Sequence, residues 1–162
     1  MKIELVKTSS TVGESNYHFQ FTPAYRRNIF ENTRVRKLVR AYMLSKAEEL
    51  NIIISALDFG RDHMHVFVAN CKKYSVESIA RRLKGFISYV MRKYHWDLFE
   101  DKLYGKKFWT EGYFYRSVGA ITSDSVEYYT AHSQKKHWEI VDFEFYKANE
   151  QRTLSDFRST GY

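Results

Sequence analysis

Two histidines separated by one methionine, His63-Met64-His65, are the residues whose type and spacing point most directly to chemistry. Alternate side chains of a β-strand share a face, so the two imidazoles are expected to point the same way. Neutral imidazoles held in parallel on a rigid strand form a pair of metal ligands. Asp62 directly precedes them and is placed to orient one ring through its N–H. The bare pattern is a weak motif, because two surface histidines explain it better, and only Asp62 and the aliphatic residues that follow bring the two interpretations close to parity.

The segments around this pair alternate between strand and helix patterns. They are a strand at 16–22, a helix at 32–50, strands at 51–59 and 63–70, a helix from Ser75 to about Tyr94, an aromatic strand at 108–118 and a helix from about 123 to 136. Two helices that cross between strands of one sheet predict an α+β sandwich. Residues 1–15 have the composition of a loose arm and 138–162 form a tail with little pattern. We expect one domain over 1–162.

Composition narrows the class of protein. Hydrophobic residues make up 44% of the chain, so a core can form without disulfides. Cys71 is the only cysteine, which excludes an intrachain disulfide and a cysteine metal cluster and fits a cytoplasmic location. Residues 1–13 lack the long apolar run of a signal peptide and no later segment is apolar over the length of a bilayer, so we expect neither a signal peptide nor a membrane span. The net charge of +7 favours a polyanionic partner.

Short fragments of recognisable type follow one another along most of the chain. They are Tyr17-His18-Phe19, Tyr25-Arg26-Arg27, Asp62-His63-Met64-His65-Val66-Phe67-Val68, Leu83-Lys84-Gly85, Phe108-Trp109 with Gly112-Tyr113-Phe114, Ser117-Val118-Gly119, and Val126-Glu127-Tyr128-Tyr129. In this order they resemble the single-tyrosine HUH transposases (TnpA type) of the smallest bacterial and archaeal insertion sequences. Each fragment is modest, and their collinearity carries the resemblance.

The resemblance implies a fold and an activity. The fold is a ferredoxin-like or RRM-like antiparallel sheet with helices packed on one face, followed by a C-terminal helix that bears the nucleophile. The activity is cleavage and rejoining of single-stranded DNA at insertion-sequence ends, through a 5′-phosphotyrosine intermediate. A divalent metal, Mg²⁺ or Mn²⁺, is held by His63 and His65 and polarises the scissile phosphate. The implied partners are hairpin-containing single-stranded DNA and a second copy of the chain, with active sites shared between subunits.

Two adjacent tyrosines compete for the role of nucleophile. The family spacing places it three residues after Val126 and ten after Gly119, and both counts reach Tyr129. Tyr128 lies about 100° around the helix, so only one of the two faces the metal. We expect Tyr128 to be a packing or DNA-stacking residue.

The third metal ligand is less well marked. The family often has a glutamine four residues after the tyrosine, and this chain has Ser133 there. Gln134 is the neighbouring residue and is the preferred ligand if the helix is locally irregular. His132, three residues after the tyrosine, is a further alternative.

Five basic residues are candidates for contacts with the DNA backbone, where each contact would release counterions. They are Arg26, Arg27, Arg81, Arg82 and Lys84. A solvated helix face explains each of them equally well, and the same solvated reading is expected for Arg40 of the first helix. His18, His95 and His137 are expected to be structural or exposed.

Three rival functions remain open on the sequence. One is an RRM-like nucleic-acid-binding module without catalysis, which requires neither the histidine pair nor the tyrosine. Another is a domesticated relative that nicks DNA at chromosomal repeats. The third is a hydrolase in which His63 and His65 activate water through a metal, with no need for Tyr129.

Overall fold

The structure is a computed structural model that describes residues 6–7, 10–103, 105–118 and 138–139. It contains a short hairpin, one main sheet and two helices. The hairpin strands are β1 (Val6–Lys7) and β2 (Val12–Gly13), the main-sheet strands are β3 (Asn16–Phe21), β4 (Ile53–Phe59), β5 (Met64–Ala69), β6 (Phe114–Val118) and β7 (Trp138–Glu139), and the helices are α1 (Thr33–Leu50) and α2 (Val76–Tyr94).

The main sheet is antiparallel throughout and has the order β6-β3-β5-β4-β7. Without β7, the chain runs β3-α1-β4-β5-α2-β6, which is the βαββαβ arrangement of ferredoxin-like domains. The predicted α+β fold is therefore confirmed. The central position of β5 matters for the site, because a strand with neighbours on both sides is held along its whole length.

The hydrophobic core lies between the helices and one face of this sheet. The two-residue period of β3 directs Phe19 and Phe21 into the core, and the same period on β5 directs Val66 and Val68 there. Every residue of β5 is buried, so its other face is covered as well. The residues that alternate with the core set, including His65, therefore lie in a second buried layer on the opposite face.

Local capping explains where the helices begin and end. The Asn32 side chain accepts hydrogen bonds from the backbone N–H groups of Arg34 and Val35, at 2.9 and 3.3 Å, and so starts α1. Asn51 ends α1 in a left-handed conformation, with φ of 61°.

None of the helices in the described ranges is long and apolar enough to cross a membrane.

Helix α1 is more deeply buried than its sequence predicts. Residues 38–47 are buried on every side of the helix, and they include Arg40, which is 2% exposed. The Arg40 guanidinium lies 5.2 Å from the centre of the Phe59 ring. The predicted solvated position for Arg40 is therefore wrong, because the helix is enclosed where an amphipathic helix would face water.

Three boundaries also differ from the predictions. The expected loose arm contains the β1–β2 hairpin. Residues 138–139 of the expected tail form β7, which pairs with β4. The aromatic strand begins only at Phe114, because Phe108 and Trp109 turn into the core instead of extending the ladder, and Trp109 makes only an isolated bridge to Pro23. The predicted helix at 123–136 lies outside the described residues.

Lys84 holds the segment that leads into β6. Its Nζ donates to the backbone carbonyls of Thr110, Glu111 and Gly112, at 2.8, 3.1 and 3.2 Å. The indole N–H of Trp109 donates in turn to the Lys84 carbonyl at 3.1 Å. Partial burial lowers the pKa of Lys84 from its ordinary value, although the nearby Glu111 carboxylate opposes this. One ammonium thus satisfies three successive carbonyls that have no partner strand.

Replacing Lys84 with Met should destabilise the fold by about 1–3 kcal/mol, because three carbonyls lose a charged donor. Arg81→Met is the matched control, since Arg81 is exposed one turn earlier on the same helix, and its change should stay within about 0.5 kcal/mol. Urea denaturation of both variants measures the difference. Equal unfolding free energies would contradict a structural role for Lys84.

Candidate active site

His63 and His65 lie at the junction between a tight turn and the central strand, β5. The turn is closed by a hydrogen bond from the Gly60 N–H to the His63 carbonyl at 2.9 Å, and β5 begins at Met64. His63 therefore belongs to the turn and His65 to the strand. Their ring centres are 5.3 Å apart, but the planes are almost perpendicular, at 87°. The predicted parallel arrangement is wrong for this reason, although the two rings are adjacent as the motif indicates.

The His63 ring is held by a carboxylate. Its Nδ1 lies 2.7 Å from Asp62 Oδ1, and Arg26 Nε donates to Asp62 Oδ2 at 3.1 Å. The hydrogen bond with His63 is the main reason that the pKa of Asp62 lies below its ordinary value. This carboxylate fulfils the orienting role that the sequence predicts for Asp62.

Arg26, which binds the Asp62 carboxylate, lies in a segment with an unusual backbone conformation. Tyr25 and Arg26 have φ of 56° and 52°, in the left-handed region that costs a non-glycine residue about 1 kcal/mol or more. The Arg26 side chain is 64% exposed, so its ion pair with Asp62 contributes little to stability. It does place a guanidinium beside the histidine pair.

The His65 ring is held by His18, which the sequence predicts to be structural or exposed. His18 Nε2 lies 2.7 Å from His65 Nδ1, and the two residues are 6% and 5% exposed. The His18 ring stacks on Phe67, with centres 4.4 Å apart and planes 3° from parallel. His18 is opposite Phe67 in the β3–β5 register, so the sheet itself places it beside the motif.

Burial keeps His18 and His65 neutral. Desolvation lowers the pKa of His65 to about 3, with smaller contributions from His18 and His63. Desolvation also lowers the pKa of His18 to about 4, together with the charge of Arg116. Both imidazoles therefore keep a lone pair at neutral pH, which is the form that binds metals.

The histidine pair fits a divalent metal in its donor chemistry. Because Nδ1 of each ring is hydrogen-bonded, Nε2 is the nitrogen that His63 and His65 would each present to an ion. In the part of the chain that the structure describes, no three His, Cys, Asp or Glu side chains are grouped to hold a metal. A complete site would therefore need a further ligand, for which the sequence offers Gln134, His132 or Ser133. These three, together with Tyr128 and Tyr129, lie outside the described residues.

The predicted DNA-contacting residues separate into two groups. Arg26, Arg27, Arg81 and Arg82 are exposed, whereas Lys84 is half-buried and donates to backbone carbonyls. Of the expected structural histidines, His95 hydrogen-bonds the Tyr42 hydroxyl at 2.7 Å. His137 lies outside the described residues.

Gly60 makes room for the His63 ring. A Cβ at this position would lie 2.8 Å from Nδ1 and 2.9 Å from Nε2 of His63, and still closer to Cε1. Such contacts are shorter than side chains tolerate, so the ring would have to leave its position. The absence of a side chain at Gly60 is thus part of what positions His63.

Gly60→Ala should displace the His63 imidazole from Asp62 and weaken Mn²⁺ binding at least about 10-fold, as lost orientation of a ligand does. Calorimetric titration with Mn²⁺ measures the affinity. Gly85→Ala is the control, because a Cβ at that helical position meets nothing within 4 Å. It should leave Mn²⁺ affinity unchanged and raise stability by up to about 1 kcal/mol. Wild-type Mn²⁺ affinity in Gly60→Ala would contradict the steric argument.

The lowered pKa values of His18 and His65 predict acid sensitivity of the metal-free protein. Between about pH 6.5 and 4 the unfolded chain binds protons that the folded chain excludes, so stability is present above pH 6.5 and is lost as pH falls. Each histidine contributes a slope of up to about 1.4 kcal/mol per pH unit. Urea denaturation across this range should show a smaller slope for His65→Gln. An unchanged slope in that variant would contradict the assignment.

Comparison with known proteins places this chain in a family. The family model "Transposase IS200 like" matches residues 11–133. The transposases for insertion sequence element IS200 of Salmonella typhimurium (strain LT2) and Salmonella typhi are each 31% identical to this chain over 112 residues, which cover 69% of this chain and 72% of theirs.

Two solved structures share the fold. A Deinococcus radiodurans R1 protein assigned as a transposase matches with a TM-score of 0.63 and 18% identity, over 80% of this chain and 98% of that one. A REP-associated tyrosine transposase, solved bound to a REP hairpin, matches with a TM-score of 0.51 and 15% identity, over 75% of this chain and 70% of that one. Since the family model spans most of the sequence and the IS200 relatives align over two thirds of it, the chain belongs to the family of IS200-like transposases.

Proposed function

We propose that this chain cleaves and rejoins single-stranded DNA at the ends of an insertion sequence, with Tyr129 as the nucleophile. The observation that carries the proposal is the adjacency of His63 and His65, each hydrogen-bonded through Nδ1 at the start of the central strand. Membership of the IS200-like family supplies the reaction class. An RNA-binding module would have no use for two oriented imidazoles beside a strained basic turn.

His63 and His65 would hold Mg²⁺ or Mn²⁺ through Nε2, with Gln134 as the preferred third ligand. A metal bound there would supply Lewis-acid polarisation of the scissile phosphate. The protein's own contribution is to fix the orientation of both imidazoles, so that no reorganisation is needed when substrate binds. Burial also keeps His65 neutral, and the Asp62 carboxylate orients His63 through Nδ1.

Tyr129 would attack the phosphorus of the scissile phosphodiester. The bond from the phenol oxygen to phosphorus forms while the bond from phosphorus to O3′ breaks. The phenol loses its proton and the departing 3′-oxygen gains one, so that the ester retains the 5′-phosphate and a 3′-hydroxyl is released. Because a phenol has a pKa of about 10, it is also a good leaving group, and the 3′-hydroxyl of another end can reverse the step without a high-energy cofactor.

The substrate class follows from charge and from the relatives. Arg26, Arg27, Arg81 and Arg82 are exposed and suited to phosphate contacts, and Arg26 lies next to the histidine pair through Asp62. The REP-associated tyrosine transposase, which has a similar fold, was solved bound to a REP hairpin, and this supports hairpin-containing ends as the substrate. We propose that the working unit is a homodimer with active sites shared between subunits.

A covalent-trapping experiment tests the nucleophile. The protein is incubated with Mn²⁺ and single-stranded hairpin DNA labelled at its 3′ end, and the products are separated under denaturing conditions. The adduct should carry the 3′ label and not a 5′ label, because the ester holds the 5′-phosphate of the downstream fragment. Tyr129→Phe should reduce the adduct about 10³-fold or more, as loss of a nucleophile does.

Tyr128→Phe is the matched control, since it removes a phenol from the adjacent position and should leave adduct formation intact. A Tyr129→Phe protein that still forms the adduct would refute the assignment, and an adduct carrying the 5′ label would refute the polarity. Binding of hairpin DNA with no adduct at all in the wild type would favour a binding module. Cleavage without an adduct would favour hydrolysis by metal-activated water.

A further inference from the structure

A buried hydrogen bond joins His18 on β3 to the motif histidine on β5. The distance from His18 Nε2 to His65 Nδ1 is 2.7 Å, and the two residues are 47 positions apart in the chain. Neither is more than 6% exposed, so water cannot readily replace either partner. A hydrogen bond between two imidazoles requires that one nitrogen carries the proton and the other offers a lone pair.

Which nitrogen carries this proton decides whether His65 can bind a metal. If His18 Nε2 is the donor, His65 Nδ1 is the acceptor, and the single proton of neutral His65 must then sit on Nε2. A protonated Nε2 has no lone pair for an ion. If His65 Nδ1 is the donor and His18 Nε2 the acceptor, Nε2 of His65 is available as a ligand.

We infer that His18 is a positioning residue for the reaction, which accepts the Nδ1–H of His65 and thereby fixes the tautomer and orientation in which His65 presents Nε2 to the metal. The inference rests on the proposed metal site at His63 and His65. In this role, His18 supplies buried His65 with an acceptor for its Nδ1–H, as Asp62 does for His63.

The surroundings of His18 hold its ring in place for this role. Its imidazole lies flat against Phe67, with ring planes 3° from parallel, and the edge of Phe114 approaches it at 6.1 Å between ring centres. The β3–β5 register places His18 directly opposite Phe67. An acceptor fixed by a sheet register and two aromatic rings costs little entropy to keep in position.

Two substitutions at His18 separate the effect of its acceptor nitrogen from the effect of its ring packing on Phe67. His18→Phe keeps a planar ring on Phe67 and removes the acceptor, whereas His18→Gln places an amide oxygen near the position of Nε2 and retains one. Mn²⁺ affinity of the DNA-free protein is measured by calorimetry and by electron paramagnetic resonance. We expect His18→Phe to weaken Mn²⁺ binding about 10- to 100-fold and His18→Gln to recover most of the loss.

Wild-type Mn²⁺ affinity in a folded His18→Phe protein would overturn the inference, and so would a His18→Gln protein that binds as weakly as His18→Phe. His65→Phe distinguishes this failure from failure of the proposed site. If His65→Phe also binds Mn²⁺ like the wild type, then the metal site itself is wrong. If only His65→Phe loses the metal, then the site stands and the role of His18 does not.

A measurement on the wild-type protein covers the case in which His18→Phe does not fold. Nitrogen-15 NMR of the histidine rings in the Mg²⁺-loaded protein reports which ring nitrogens are protonated. We expect the proton on Nδ1 of His65 and Nε2 of His18 without one. A proton on Nε2 of His18 in the loaded protein would contradict the inference.

Discussion

The hydrogen bond between His18 and His65 is the interaction on which the described part of the site depends, because both partners are buried and the bond joins the two strands that carry them. A short contact of this kind requires that β3 and β5 pair in one register. A slip of β3 by one residue against β5 would carry His18 to the face of the sheet opposite His65 and bring a core side chain into its place. The hydrophobic core that fixes the register therefore also fixes the site, since Phe19, Val66 and their neighbours alternate with the histidines along the same two strands.

The turn before β5 completes the arrangement by bringing a second imidazole beside the first. His63 is one residue outside the strand, so its direction is not set by the pleat but by the turn, by Gly60 and by Asp62. This explains why the two rings are perpendicular although they come from a His-x-His motif. In the proposed site, one ligand is therefore fixed by a strand and the other by a turn, and both would be in position before further ligands arrive with the substrate or with another segment.

The sequence allowed prediction of the fold class and of the histidine pair, because both depend on short-range patterns. The two-residue period of 16–22 and 63–70 and the helical spacing of 32–50 are local signals, and they lead directly to the βαββαβ order. His18 could not be recognised in this way, since its partner is 47 residues distant and only the register brings them together. The enclosed position of Arg40 and the carbonyl contacts of Lys84 could not be predicted from the sequence for a related reason. A basic residue off an apolar stripe is ordinarily solvated, but here one is enclosed with the helix and the other caps carbonyls of a remote segment.

The two supports of the histidine pair differ in charge, and the difference matches their surroundings. Asp62 is a carboxylate next to His63, whose side chain is 22% exposed, and Arg26 forms an ion pair with this carboxylate. A carboxylate in contact with buried His65 would favour the protonated imidazolium and raise its pKa, so that a proton would compete with a metal for the ring. A neutral imidazole as partner accepts the Nδ1–H without adding this charge, and the pKa of His65 stays low. At the buried position of the proposed metal site, a histidine is therefore a better support for a ligand than a carboxylate of the kind that orients the half-buried His63.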